Sequence, residues 1–388
     1  MKLLFKIMVL TLITSIPLQA QKYQIYSNSF DVNEQTTAIF NLEKTTVSIE
    51  ESTDDKMHLD YRIEFENYHK SEIQLILDNI NVEANLFSNH LTLTASSITK
   101  VADITYKIKT LNSLVIKEEF FKLKENSNNT VRKHKDSVIK EINKSPKEIF
   151  KDFFKAIKTE DKNGKSKKIN RSNVKIMKSH FTIKIPPYLK LTINGKESQV
   201  TLFSDFENEL RVILKRGFFK AKQLNNIYNK IKIEDADFKV EGIIGGDYTL
   251  NSIRKGLIGS IENAKITSEF SKIEIGEINN NVAITDFNSK YWFYNWSKDF
   301  TRFDLFSEYS KIHCFFPKTN YSLKVVGNNT INHFDNVTIE MQPTKNEVKF
   351  NMMEVKVKGK SKSSGHINFD IVHGVIYTFN NMFYLNKN

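Results

Sequence analysis

The sequence predicts a mainly β protein: a solenoid-like stack of short strands, with an N-terminal β unit and a basic α-helical insert. Three observations carry this. Paired apolar residues recur at a fixed offset of nine. Ala264 and Ile266 are followed by Ile273 and Ile275, Val282 and Ile284 by Tyr291 and Phe293, and Phe303 and Leu305 by Ile312 and Cys314. A constant spacing within each pair, with a variable connector between pairs, is the pattern of a chain that winds in stacked coils. The second observation is composition. The chain has 29 Phe and 14 Tyr among 388 residues, and its Ile, Val, Thr, Phe and Tyr fall at alternating positions, the period of a strand. The third is a short motif around a lysine: Tyr228 to Ile233, Phe270 to Ile275, Asn288 to Phe293 and Tyr309 to Cys314.

Taken in order, the first element is residues 1–20. Met1, Lys2 and Lys6 precede an apolar run from Ile7 to Ile13, and Pro17 to Ala20 ends in a small residue. This reads as a secretory signal peptide. It places the chain outside the cytoplasm, in the periplasm, at the cell surface or beyond it. An N-terminal β unit follows over 21–121. Thr46 to Glu50 and Leu59 to Phe65 alternate, a short helix is expected over Ser71 to Leu77, and strands resume near Asn81 and Leu91.

Residues 122–178 form a Lys-rich insert. They hold eighteen Lys or Arg against seven Asp or Glu. Of the net charge of +12, the insert supplies +11 and the signal segment +2, which leaves the remainder at −1. The basicity therefore belongs to one segment. Within it, Ser145 as N-cap, Pro146 at the first helical position and Glu148 as capping-box partner predict an amphipathic helix. Its inner face would carry Ile149, Phe153 and Ile157 and its outer face Lys147, Lys151, Lys155 and Lys158. The tract from Asp161 to Ser172 is expected to be mobile. The β-repeat array is predicted over 179–330, in about five coils, and a C-terminal β cap over 331–388.

The motifs resemble the bacterial putative-adhesin family of secreted β-repeat proteins, of the Bacteroidota type. Phe270 to Ile275 and Tyr309 to Cys314 match its aromatic-Ser-Lys coil motif. Phe181 to Pro187 resembles its strand-proline entry, and Phe316-Pro317 with Tyr321 to Leu323 its closing element. The likeness covers roughly 25–110 and 178–330; the basic insert departs from it. It implies an exported, non-enzymatic envelope or surface protein, an adhesin or binding scaffold, with no catalytic residues or cofactor.

Alternation also places the candidate site. If Tyr291 and Phe293 point inward, Trp292 and Tyr294 point outward, His313 and Phe315 lie beside them in the next coil, and Trp296 extends the group. Exposed, these five form an aromatic platform for a sugar or a partner. Covered, they would meet another part of the chain, with the Phe face of the 146–158 helix as the candidate cover. The outer lysines of that helix could contact an anionic surface.

Envelope polysaccharide or another envelope protein is the expected partner. Nucleic acid is excluded by export and by the lack of any nucleic-acid-binding signature. The competing reading is a carbohydrate-active β-helix enzyme, a lyase or hydrolase. It requires acids or bases clustered on one outer face, with Asp235, Asp237, Lys272 and Glu274 as the residues to place. No nucleotide-binding, hydrolase or metal motif is present, and the nine His have no metal-ligand spacing. The lone Cys314 falls at an inward position and reads as a small buried hydrophobe.

Overall fold

The computed structural model describes residues 21–97, 104–108, 114–115, 132–144, 158–160, 166–168, 174–317, 319–334, 337–341, 351–357 and 364–379. The signal segment lies outside these residues. So does the helix predicted from Ser145 to Ile157, with Lys147, Lys151 and Lys155.

The architecture is two facing, mostly parallel sheets. Each coil places one strand in each sheet and turns a tight corner between them. Among the described residues there are ten such coils, twice the number expected. The first pairs Thr37–Glu43 with Thr46–Glu51. Typical later ones pair Lys190–Lys196 with Gln199–Leu202, Lys265–Glu269 with Lys272–Ile278, and Arg302–Glu308 with Lys311–Phe315. The strand registers reproduce the nine-residue offset in nine of the ten coils; the coil over 247–262 has one residue more.

The parallel register stacks like positions into ladders. Along the first sheet Phe40, Ile193, Val212, Ile231, Tyr248, Ile266, Ile284 and Leu305 follow one another, all buried. Opposite them run Val47, Val200, Phe219 and Phe238, then Ile273, Tyr291 and Ile312. Burying each such side chain contributes about 1.5–3 kcal/mol. Cys314 sits in this interior as expected, and burial pushes its thiol well above the ordinary range.

The stack reaches beyond 179–330 at both ends. Thr37–Glu43 and Thr46–Glu51 lie beside the strands of the 190–202 coil. At the far end, Ser364–Val372 and Val375–Phe379 pair with Arg302–Glu308 and Lys311–Phe315. The earlier segment, Asn320–Asn328 with Thr330–Phe334, is stacked outside them. Antiparallel strands close both ends: Ile80–Phe87, Lys56–Glu66 and Gln21–Asp31 at one, Asn351–Val357 and Val337–Met341 at the other. Reversal of direction and the polar outer face of Gln21–Asp31 blunt the free edge.

Two helices are described. Helix α1, Lys70–Leu77, is the one expected near Ser71. Helix α2, Lys135–Ile142, was not legible in sequence. Lys158, expected at the end of a helix, instead opens the strand Lys158–Glu160, which pairs with Ser166–Lys168 inside the tract expected to be mobile.

Candidate functional site

The predicted aromatic platform is assembled but not exposed. Trp292 is 9% exposed, Tyr294 3%, His313 8% and Phe315 1%. Of the two arrangements, the covered one is present and the open platform is corrected: helix α2 packs beside Trp292, Tyr294 and Phe315, and Arg132 and Lys133 just before it lie over Phe315 and Tyr294. Val138 and Ile142 pack with Leu257, Trp292, Tyr294 and Phe315 in one apolar cluster. Trp296 is corrected separately. Its ring turns into the main core beside Phe300 and Phe303, and its Nε1 donates to the Phe315 carbonyl at 2.7 Å.

The Phe face of the 146–158 helix, named as candidate cover, lies outside the described residues; among these the cover comes from the insert through helix α2. Its seat is the outward pair Gly259 and Gly276, neighbours in adjacent coils. A β-carbon at Gly259 would come within 2.8 Å of Ile139, and one at Gly276 within 3.3 Å of Val138. Acidic residues rim the seat. Lys133 pairs with Glu274 and Glu141, Lys135 with Glu277, and Lys255 with Glu141. The Tyr294 hydroxyl donates to Glu274 at 3.0 Å.

Beyond α2 the outer rings form a column. Trp292 stacks on His313 at 5.1 Å, and Tyr377 stacks on the other face of His313 at 4.9 Å. Neither His313 ring nitrogen has a hydrogen-bond partner among the described residues. Burial first, then the charges of Lys290 and Lys311, pull His313 from 6.5 to about 4. The neutral ring therefore stabilises the fold fully above pH 6.5, and that stability is lost as pH falls toward about 4. The loss should reach about 2–3 kcal/mol. Thermal unfolding of wild type against His313→Phe across this range tests it. The variant should flatten the pH dependence; an unchanged slope would remove His313 as its source.

The exposed candidate site lies at the coil corner, where the lysine motif takes its meaning. In all ten coils the corner residue has positive φ: Lys44, Glu197, Arg216, Asp235, Ser252, Phe270, Asn288, Tyr309, His373 and Asn329. Each of the inner corners donates its N–H to the carbonyl before the next corner, as in Phe270 to Phe287 at 3.0 Å and Asn288 to Glu308 at 2.7 Å. The serine after the corner points inward. The Ser271 N–H donates to Ser289 Oγ at 2.9 Å, and the Ser289 N–H to Ser310 Oγ at 3.0 Å. The lysine then opens the strand and points outward. Tyr228 to Ile233 is not a member of this series: Lys230 starts a strand of the first sheet, at the opposite corner.

Lys272, Lys290 and Lys311 are direct register partners in three successive coils. Beside them Phe270 and Tyr309 stand 56% and 53% exposed. With Arg254 they line a shallow groove of about 420 Å³. No described carboxylate pairs with any of the three lysines. Lys272 and Lys290 instead lie over Trp292, at 5.6 and 4.7 Å from its ring centre. Burial first, then the like charges of Lys272 and Lys311, hold the Lys290 ammonium below its ordinary value.

The corner also explains why the rings are informative. Asn and Asp tolerate positive φ, whereas a bulky side chain there is strained by about 1–3 kcal/mol. Asp235, Asn288 and Asn329 meet the backbone demand at this position without that strain. Phe270 at φ 50° and Tyr309 at φ 57° do not, and neither do the charged corners Lys44, Glu197 and Arg216.

The acids named for an enzyme reading do not converge. Asp235 is a corner residue, Asp237 pairs with Arg254 at 3.5 Å, and Glu274 is engaged by Lys133 under α2. Among the described residues no group of three or more His, Cys, Asp or Glu could hold a metal ion.

No family model matches the chain, and no curated protein matches it. Two solved structures align with it at 10% identity. One is a putative cell adhesion protein from Clostridium sporogenes, covering 94% of this chain and 100% of that one at a TM-score of 0.18. The other is a putative adhesin from Bacteroides fragilis, covering 93% and 99% at a TM-score of 0.30. Superpositions this loose carry no argument about fold or function.

Proposed function

We propose that this chain is an exported, non-enzymatic binding scaffold of the cell envelope, and that its corner face holds an anionic partner. The observation that carries the reading is the row Lys272, Lys290 and Lys311. Three like charges stand in register without a carboxylate partner among the described residues, next to two strained, exposed rings. Uncompensated charge of one sign on adjacent strands is unfavourable in the free protein. A polyanion relieves it, and binding then weakens as salt rises.

The test is retention of the chain from Gln21 onward on a column of immobilised polygalacturonate. The triple variant K272E/K290E/K311E should be retained at least about tenfold more weakly. The control K230E/K232E/K265E makes the same charge change on the outer face of the first sheet and should be retained like wild type. Equal loss from both triples would reduce the interaction to net charge and sink the assignment to the corner.

A further inference from the structure

The corner site has a direction. We infer that its ligand is an acidic polysaccharide lying along the stack axis, with one anionic group on each of Lys272, Lys290 and Lys311 and its sugar faces against Phe270 and Tyr309. This rests on the anionic-partner reading above and narrows it to one class of polymer and one orientation.

The axis follows from the register. Neighbouring strands lie about 4.8 Å apart, so the three lysines form a straight row about 10 Å long, perpendicular to the strands. A small anion can engage one or two of them. A polymer with a charge on each repeat, extended across the strands, engages all three.

The rings run the same way. Phe270 meets Phe287 edge-on at 5.6 Å, Phe287 meets Tyr309 at 5.7 Å, and Tyr309 stacks on His373 at 4.9 Å. Aromatic side chains thus form a line parallel to the lysine row, on the corner side of the groove. Such a line offers apolar faces to flat or semi-flat ligand rings, which sugars have and polyphosphate lacks.

The same two features bound the site. Ahead of Lys272 the chain places Arg254 and Lys255, ion-paired with Asp237 and Glu141, so the row without a described carboxylate starts at Lys272. Past Lys311 the register partner is Val375, so the row stops there. Three charged repeats fill it.

Basic rows with aromatic rings also suit single-stranded nucleic acid, where bases stack on the rings. Two things favour the sugar. The row spans only three cations, and the signal-like N-terminus sends the chain where polysaccharide is the abundant polyanion.

The experiment is a titration of the full mature chain with mono-, di-, tri- and hexagalacturonate, neutral glucan oligomers, inorganic polyphosphate and oligothymidylate. Galacturonate affinity should climb by about tenfold or more from monomer to trimer and then level off. Glucan should bind weakly. Lys290→Gln should abolish the climb. The double variant F270N/Y309N should weaken trimer binding while its melting temperature stays level or rises, because Asn accepts the corner backbone. That rise separates lost binding from lost folding.

A flat length dependence would overturn the axial arrangement. Polyphosphate binding as tightly as galacturonate, and indifferent to F270N/Y309N, would overturn the sugar while leaving the anionic partner standing. Tighter, ring-dependent binding of oligothymidylate would overturn the polysaccharide in favour of nucleic acid. Binding of none of the anions would remove both this inference and the reading beneath it.

Discussion

Asp286→Ala should destabilise the protein by about 3–5 kcal/mol, among the largest single-site losses available to the fold. Asp286 is 3% exposed in the core between the two sheets. Its Oδ1 accepts from Ser268 Oγ at 2.6 Å, and its Oδ2 from Ser307 Oγ at 3.0 Å and Ser310 Oγ at 2.5 Å. Ser268 spends its proton on Asp286, so Tyr291 donates its own to Ser268 Oγ at 2.7 Å. One carboxyl group thereby joins three successive coils. Alanine would leave the Ser307 hydroxyl buried without an acceptor and break a network whose members have few alternatives. Chemical denaturation measures the loss. Combining Asp286→Leu with Ser268→Ala and Ser307→Ala should recover much of it, since an apolar set of similar shape leaves fewer unmet groups. A single variant as stable as wild type would show the network to be dispensable.

Gly276→Val should unseat helix α2 and strain the strand beside it. The added carbons have no room: a β-carbon alone would lie 2.5 Å from the Gly259 carbonyl oxygen and 3.2 Å from Lys135 Cα. Val138 and Ile142 would lose their burial, about 1.5–3 kcal/mol each. An eight-residue helix without its seat does not persist, because helix nucleation is unfavourable at that length. Limited trypsin digestion should then cut near Lys135 and Lys140. Trp292 emission should shift to the red while Trp296 keeps its core environment. Val138→Asp should give the same result by a different route. Protease resistance equal to wild type in both variants would show that the helix is held by its ion pairs alone.

How much of this was legible in the sequence depends on the range of the forces involved. The coil spacing and the inward positions were readable because strand alternation is local: Ile273, Tyr291, Phe293 and Ile312 all point where period two places them. The number of coils was not. Ala38 and Phe40 precede Val47 and Ile49 by the same nine residues, but their stacking partners lie some 150 residues on, across the insert. Burial of the aromatic site under the insert was one of two arrangements open in the sequence, but the element that provides it was not legible. Helix α2 has only two fully buried residues, Val138 and Ile142, and forms on a surface supplied by distant glycines. The readable signal was the outward pair Gly259 and Gly276, small residues where the coil pattern otherwise places large or charged ones. The corner site was half visible. The aromatic-Ser-Lys motif stood out, but the lysine row appears only once the register brings residues 18 and 21 apart into line.

The order of the last two coils has a consequence for how the chain reaches this state. The 320–334 segment finds no parallel partner until Ser364–Val372 and Val375–Phe379 have been laid on the 302–315 coil. At the other end, Thr37–Glu43 and Thr46–Glu51 wait for residues 190–202. Only the middle, from Lys190 to Phe315, can zip coil by coil in the order it is made. Nucleation therefore belongs to the middle, and both termini are late arrivals that pay long loop closures. A chain cut short before residue 379 would carry an unsealed parallel edge, which is the form most exposed to pairing with another molecule.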